Sequence, residues 1–326
     1  MTTAPDAQAT RRRFPALPFG GGRFELQEFA LVGVVGVLLV AGAIFEPDAF
    51  LTSDNMLNVL RQASIVGVLA IGMTFVIATG GIDLSVGSMV AAAGIAGGQL
   101  ADSGSVAFIL GAIAMGVVLG GINAGAIAYG RVVPFIATLA MFTMARGLAL
   151  WMSDKTPISV FDLEAVRWFG TGEIVGIPSA VLVFLAVTAL GWMLLNRTRY
   201  GRYVVAVGGN REAARIAGVK VQRIVFSVYV LSGICVAIAA VLLCGRLASA
   251  SPVAGNLYEL DAIAAVVIGG TALSGGRATI VGTFLGVVTF ALIFNLLTIM
   301  NVAIEIQQIT KGAIILAAVL IQRKQQ

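Results

Sequence analysis

Long apolar runs separated by short polar turns occupy most of this sequence. Four of the runs, at 29–45, 103–130, 174–196 and 224–245, contain no charged residue. An α-helix needs about 20 predominantly apolar residues to cross the hydrocarbon core of a bilayer. The pattern therefore predicts about ten membrane-spanning helices, at roughly 29–45, 59–79, 85–101, 106–128, 132–152, 178–195, 224–244, 261–276, 280–300 and 305–322.

The composition and this helical pattern together indicate the fold class. Of the 326 residues, 59% are hydrophobic and only 11% are charged, whereas soluble domains are about 25% charged. The 40 glycines and the modest aromatic content favour closely packed helices over a β-barrel. We predict an all-α membrane protein in which residues 1–25 form a flexible basic cytoplasmic tail and residues 26–326 form one transmembrane domain.

The positions of lysine and arginine predict the orientation of the chain. With both termini in the cytoplasm and ten spans, 15 of the 21 basic residues fall in cytoplasmic segments, as membrane proteins prefer. Two connections are longer than a turn, 153–177 and 196–223. Two basic residues inside predicted spans, Arg146 and Lys311, are expected to lie near span ends and to extend their charged groups to the interface.

Several function classes are excluded by the residue inventory. The chain has no histidine, and its two cysteines, Cys235 and Cys244, lie in one apolar run. This set of residues cannot build a zinc site of histidine and cysteine, a haem site or an iron–sulfur cluster. None of the four lysines follows the glycine pattern of a phosphate-binding loop. Because the basic residues follow membrane sidedness, we expect no nucleic-acid partner and no cofactor bound by this chain.

Two glycine-rich segments repeat one pattern and are the first candidate for a mechanism. Residues 80–87 and 269–276 both fit G-G-x-x-L-S-x-G, and each lies between apolar segments. Paired glycines break helices, and transporters are often built from repeats whose broken or re-entrant helices meet inside the membrane. We predict a translocation path or gate that includes Gly80, Gly81, Asp83, Ser85, Asn123, Gly269, Gly270, Thr271 and Ser274.

Asp83 has two interpretations. An acidic group in a membrane segment is a candidate for function. The alternative is a tight turn in which Asp83 caps the following helix through its N-terminal amides. Asn123, next to a G-x-x-x-G pair at Gly116 and Gly120, can hydrogen-bond a polar solute, but helix packing is the simpler explanation.

The connection 196–223 is the second candidate. It holds seven basic residues and one acid, which the preference for cytoplasmic positive charge partly explains. Within it, Asn210 can cap a short helix, Glu212 suits its first turn and Gly218 can end it. A short helix outside the membrane is not needed for spanning, so we predict that it docks a soluble partner.

The order of several motifs resembles the permeases of ribose-type sugar transporters driven by ATP-binding-cassette (ABC) subunits. The resemblance runs from about residue 55 to 322, some four-fifths of the chain. The segments that carry it are 70–88 (AIGMTFVIATGGIDLSVGS), 134–139 (PFIATL), 201–203 with 208–210 (GRY and GGN) and 258–271 (YELDAIAAVVIGGT).

This resemblance implies a transport subunit without a nucleotide site of its own, in the bacterial inner membrane among lipids. It further implies a second permease copy or paralogue, a cytoplasmic ATPase that uses ATP and Mg²⁺, a periplasmic sugar-binding protein and a monosaccharide or polyol as cargo. Which sugar is carried stays open, and so does whether the two permeases are identical.

The same resemblance implies an ATPase-coupling segment of Asn210, Glu212, Ala213, Ala214, Arg215 and Gly218. Residues 212–218 match the E-A-A-x-x-x-G part of the importer coupling loop. The further I-x-L-P part is missing, because positions 228–231 are Val-Tyr-Val-Leu. The alternative function is an ion-coupled secondary transporter with Asp83 as its titrating group.

Overall fold

The structure is a computed structural model that describes residues 21–323, with side chains described for residues 28–320. Apart from two short β-ladders, its regular elements are helices. The helices are α1 Gly21–Phe45, α2 Ser53–Ala78, α3 Val86–Gly98, α4 Ser105–Ala128, α5 Pro134–Met152, α6 Glu164–Thr171, α7 Ser179–Trp192, α8 Arg199–Gly209, α9 Arg211–Ile216, α10 Val221–Leu247, α11 Tyr258–Ile268, α12 Ile280–Ile299 and α13 Ile304–Arg323. A 3₁₀ turn covers Ala101–Ser103, and the π-helical segment Met193–Arg197 continues α7.

The β-ladders lie in the connections between helices. Strand β1, Ile158–Ser159, pairs antiparallel with β4, Ser249–Ala250. Strands β2, Glu173–Ile174, and β3, Ile177–Pro178, form a small antiparallel hairpin. With two residues in each strand, these ladders fasten loops and leave the all-α architecture intact.

Seven helices of the described residues are long and apolar enough to cross a membrane: α1, α2, α4, α5, α7 with its π-helical extension, α10 and α12. The chain is therefore a multi-pass membrane protein. Helices α3 and α11 have 13 and 11 residues, about 20 and 16 Å at 1.5 Å per residue, which is less than a bilayer core of about 30 Å. The count of about ten spans and the cytoplasmic placement of both termini stay predictions.

Each of the ten predicted spans coincides with a helix, but one boundary is wrong. The predicted span 261–276 ends as a helix at Ile268, and residues 269–279 form a loop. The helix ends at the glycine pair, with Gly269 as its C-cap. At the other end of the chain, most of the predicted tail 1–25 lies outside the described residues, and α1 begins at Gly21.

Helices α2 and α10 form the centre of the bundle, and small residues bring α4 against α10. A Cβ atom placed on Gly233 of α10 would overlap the carbonyl oxygen of Gly116, and one placed on Gly120 would lie 2.9 Å from the Gly233 Cα atom. The predicted packing role of the Gly116 and Gly120 pair is confirmed, because glycine is the residue that permits this approach.

The two glycine-rich segments lie at the same end of the bundle. The chain enters the first segment from α2 and leaves it by α3, and it enters the second from α11 and leaves it by α12. A backbone hydrogen bond of 3.0 Å from Gly276 N, in the second segment, to Ala78 O joins that segment to the end of α2, two residues before the first segment. The helix pairs α2–α3 and α11–α12 therefore run in the same sense.

Candidate functional site

Helices α2 and α11 end in the same hydrogen-bonded cap. In α2 the N–H of Gly81 donates to Val76 O and the N–H of Gly80 donates to Ile77 O, at 3.1 and 2.8 Å. In α11 the N–H groups of residues 271 and 270 donate to the carbonyls of residues 266 and 267. This is a Schellman motif, which requires a left-handed residue after the helix. Gly80 and Gly270 meet that requirement with φ angles of +76° and +93°.

The shared cap shows how far the sequence repeat extends. The pattern aligns Gly80 with Gly269, whereas the hydrogen bonds make Gly80 equivalent to Gly270, one position further on. The loops then diverge in length, because α3 begins at Val86 and α12 begins only at Ile280. The similarity of the two segments therefore lies in how each helix ends, and it does not continue residue by residue through the loops.

A third segment, the end of α8, lies between the two glycine loops. A Cβ atom on Gly208 would overlap the carbonyl oxygen of Ala78 and would lie 2.6 Å from Gly276 N. Arg211 Nη2 donates to Thr79 O at 3.4 Å. The structure thus brings the two predicted gate loops and the predicted docking segment to one place, which we call the glycine junction: residues 78–81, 208–211 and 274–276.

Three further predicted gate residues pack at or beside this junction. Gly269 faces α12, where an added Cβ would lie 2.5 Å from the backbone of Gly282. The hydroxyl of Thr271 accepts a hydrogen bond from Thr279 N at 3.2 Å, just before α12 begins. The carbonyl oxygen of Ser274 lies 3.4 Å from the position a Cβ on Gly80 would take.

Asp83 is buried beside the junction in a hydrogen-bond network whose other members are uncharged side chains. Its Oδ1 atom accepts from Ser85 N at 3.0 Å and from Ser85 Oγ at 2.5 Å, and its Oδ2 atom accepts from Ser232 Oγ at 3.2 Å. Asn123 Nδ2 donates to Ser85 Oγ at 2.9 Å, so three predicted site residues share one network. The buried Tyr229 hydroxyl nearby has no hydrogen-bond partner among the described residues.

The geometry of Asp83 matches the tight turn of the second interpretation but not the predicted cap, because its backbone partner is the N–H of Ser85, which precedes α3. Its bond to the N–H of Ser85 forms the turn from which α3 starts, and the bond from Ser232 attaches that turn to α10. The side chain is 1% exposed. A group so enclosed and so fully bonded is suited to hold the loop in place.

Helix α9 matches its prediction closely. Asn210 Oδ1 accepts from Ala213 N at 2.9 Å and caps the helix, and Gly218, with φ +85°, ends the turn that follows it. Glu212 bonds Arg215 through Nε at 3.0 Å and Nη2 at 2.5 Å, and these hydrogen bonds lower the pKa of the Glu212 carboxyl.

The two sides of α9 differ in exposure. Ala214 is buried against the body of the protein, whereas Ile216 is 76% exposed. Glu212 and Arg215 are also exposed, so α9 presents a charged pair beside an uncovered apolar side chain. The adjoining helix α8 was not predicted, although its buried residues Gly201, Val204 and Val207 have the three-residue spacing of a helix face.

Arg146 and Lys311, which are expected to extend their charged groups to the membrane interface, both contact groups within the protein. Arg146 Nη1 donates to the carbonyl oxygens of Pro252 and Ala254 at 2.6 and 3.0 Å, so it holds the loop before α11. Lys311 forms an ion pair with Asp261, and both side chains are largely buried. Lys311 thus has a counter-ion inside the protein, whereas Arg146 has only carbonyl partners and its Nη2 atom has no hydrogen-bond partner among the described residues.

The chain was compared with known proteins. Residues 55–319 match the family model described as "Branched-chain amino acid transport system / permease component". The chain is 45% identical to the ribose import permease protein RbsC of Bacillus subtilis strain 168, over 88% of this chain and 90% of that protein. It is 38% identical to ribose import permease protein RbsC of Escherichia coli strain K12, over 92% and 95% of the two chains.

Another relative is named for a different sugar. The xylose transport system permease protein XylH of Escherichia coli strain K12 is 33% identical, over 93% of this chain and 95% of that protein. No solved structure matches the chain. Because the family model covers most of the sequence and these relatives align nearly end to end, the chain belongs to this family of transport-system permease components.

Proposed function

We propose that this chain is the membrane-spanning subunit of an ATP-driven importer for a monosaccharide, in a bacterial inner membrane. Relatives that align over about nine-tenths of the chain are named as ribose and xylose permeases. The observation that carries the proposal is the glycine junction, where Gly208 and Arg211, on either side of the α9 cap, contact the ends of both glycine loops.

The proposed mechanism starts at α9. A separate cytoplasmic ATPase, which binds ATP and Mg²⁺, docks on the exposed face that holds Glu212, Arg215 and Ile216. When the ATPase closes, it displaces α9, and α8 moves with it. Gly208 contacts backbone atoms of Ala78 and Gly276. Because no flexible side chain lies between these backbone atoms, most of the displacement of α8 reaches the loops.

The remaining partners follow from the same proposal. A second permease copy or a paralogue completes the path, and a periplasmic sugar-binding protein docks on the end of the bundle opposite the junction. The family description names branched-chain amino acids, but three relatives that cover most of this chain are named for ribose or xylose. We therefore place sugar before amino acid as the class of cargo.

The docking role of α9 is tested by charge reversal. Glu212→Arg replaces the acid of the exposed pair, so we expect sugar uptake to be lost and the ATPase to stop co-purifying, with membrane insertion unchanged. The matched control is Glu164→Arg, which reverses an exposed acid in the first turn of another short helix, α6. Normal uptake and normal co-purification in Glu212→Arg contradict the coupling role.

The class of transporter is tested separately in whole cells. We expect uptake of radiolabelled ribose or xylose to stop when ATP is depleted and to continue when an ionophore collapses the proton gradient while ATP is maintained. The reverse result, uptake that follows the proton gradient, identifies a secondary transporter and overturns the proposal.

A further inference from the structure

A cavity of about 440 Å³ opens at the opposite end of the bundle from the glycine junction. Its walls come from the first half of α2, the start of α11, the second half of α12 and the start of α13. None of the predicted gate or coupling residues lines it. Ligand pockets in proteins span roughly 300–1,000 Å³, so this cavity has room for one small solute. Six of its polar lining residues are Asn58, Gln62, Asp261, Asn295, Gln308 and Lys311.

Residues outside the cavity hold its amide groups in place. Arg246, at the end of α10, donates to Asn58 Oδ1 at 2.8 Å and to Gln62 Oε1 at 3.3 Å. With both oxygens engaged, each amide keeps its –NH₂ group as a donor. Asn295 and Asn55 exchange two hydrogen bonds of 2.8 and 3.0 Å. These three amide groups, of Asn58, Gln62 and Asn295, are thus fixed before any ligand arrives, which lowers the entropic cost of binding.

The charges in the cavity neutralise each other. Lys311 Nζ pairs with Asp261, and the same ammonium lies 5.3 Å from the ring centroid of Phe294 and 5.9 Å from that of Phe290. Both rings line the cavity and give it an apolar wall. A solute with net charge finds no unpaired counter-ion among these residues, whereas a neutral polar solute meets donors and acceptors beside a flat apolar surface.

We propose that this cavity binds one neutral monosaccharide, by hydrogen bonds from its amides and its ion pair to sugar hydroxyls and by contact of the sugar ring with Phe290 and Phe294. A hydroxyl both donates and accepts, so it can bond to amide –NH₂ groups and to the Asp261 carboxylate. The proposal rests on the proposed function for the identity of the solute. It adds a binding site inside a single permease chain, away from the glycine junction.

The test is protection of an introduced cysteine in the purified full-length permease in mild detergent. The two native cysteines, Cys235 and Cys244, are buried, so a polar thiol reagent reports on the introduced position. Gln308→Cys places a thiol on the cavity wall, and Ile309→Cys places one on the neighbouring residue, which is 71% exposed and does not line the cavity. The probes are D-ribose, D-xylose and D-allose, with L-leucine as the zwitterionic comparison.

We expect at least one of the three sugars to slow labelling of Gln308→Cys and to leave Ile309→Cys unchanged. At a sugar concentration ten times the half-saturating value, the labelling rate falls about tenfold by mass action. Adding Asn58→Leu removes one donor and is expected to abolish the protection without altering labelling in the absence of sugar. If that variant does not fold, Gln62→Leu replaces it.

Three results overturn the proposal: no protection by any sugar, equal protection at both cysteines, or protection by L-leucine as strong as by sugar. Uptake measurements on cells with the native chain separate the two proposals. ATP-driven sugar uptake without cysteine protection removes the cavity site and retains the importer. Cysteine protection by sugar together with uptake that follows the proton gradient retains the cavity site and removes the ATP-driven importer.

Discussion

The two ends of the bundle are built from different chemical groups. At the glycine junction, backbone meets backbone: Gly208 leaves no room for a Cβ against Ala78, and Gly276 N bonds Ala78 O. At the cavity, side chains meet side chains, as in the Asn55–Asn295 amide pair and the Asp261–Lys311 ion pair. Backbone contacts suit the transmission of a displacement, since few rotatable bonds separate the elements. Side-chain contacts suit the recognition of a solute.

This difference predicts opposite sensitivities to substitution. We expect folding or transport to fail when a side-chain atom is added at the junction, because the elements there already touch. The cavity should fail when a polar group is removed, because each group there holds or faces another.

Gly208→Ala is expected to have the largest effect. The added methyl overlaps the Ala78 carbonyl, which belongs to a helix and cannot move aside, so we expect a loss of about 3 kcal/mol or more in folding stability. Thermal unfolding in detergent and sugar uptake measure it. Gly209→Ala is the control, since its Cβ would meet only the Gly276 Cα atom, at 3.9 Å. Equal effects of the two variants would show that the close approach at Gly208 is unimportant.

Asp83→Leu comes next. It leaves the Ser85 N–H and the Ser232 hydroxyl without their acceptor, and each buried unsatisfied group costs about 1–3 kcal/mol. We expect lower yield of folded protein and lower uptake than in Asp102→Leu, which removes an exposed carboxylate. If both variants show equally mild effects on expression and uptake, the Asp83 network has no structural importance.

Lys311→Met tests the cavity by removal of a charge. Asp261 loses its ion-pair partner while it stays largely buried, and we expect a cost of about 2 kcal/mol, below the 3–5 kcal/mol of fully buried pairs. The unfolding midpoint in detergent measures the change. Lys220→Met, at an exposed position before α10, is the control and should leave the midpoint unaltered. An unfolding midpoint equal to that of the control would show that the ion pair does not stabilise the structure around the cavity.

The smallest effect is a pH dependence at α9. The hydrogen bonds from Arg215 hold the pKa of Glu212 below its ordinary value of 4.5. The stabilisation by this pair is therefore complete above the ordinary value and is lost as the pH falls through the lowered pKa. Amide hydrogen exchange in 211–216 should quicken, relative to Glu212→Gln, only at these acidic pH values. A difference that grows as the pH rises towards neutrality contradicts the pairing.

Features set by neighbouring residues were predictable from the sequence. The cap by Asn210 and the termination by Gly218 depend on a few consecutive residues, so their residue types were enough. The close packing of Gly116 on α10 followed from a four-residue spacing. Helix α8 was missed because its basic and glycine residues obscure a buried face of only three positions.

Features set by distant residues were not predictable in this way. Asp261 and Lys311 are far apart in sequence, and no periodicity indicates that α11 and α13 place them together. The cavity likewise joins residues from four helices, and the local sequence of each helix does not indicate a binding site. The equivalence of Gly80 and Gly270 is defined by hydrogen bonds and not by residue type. The alignment of the two sequence patterns therefore paired Gly80 with the wrong residue, Gly269.

The buried stretch of α2 has an electrical consequence. The cavity reaches Val66 on this helix and the junction begins at Ala78, and all residues between them are buried. The 12 residue steps from Val66 to Ala78 span about 18 Å. If water fills the cavity, most of the transmembrane voltage drops across this stretch, because close-packed apolar matter conducts no ions. Under the proposed function, the same short segment would both separate the cavity from the glycine junction and insulate the membrane voltage.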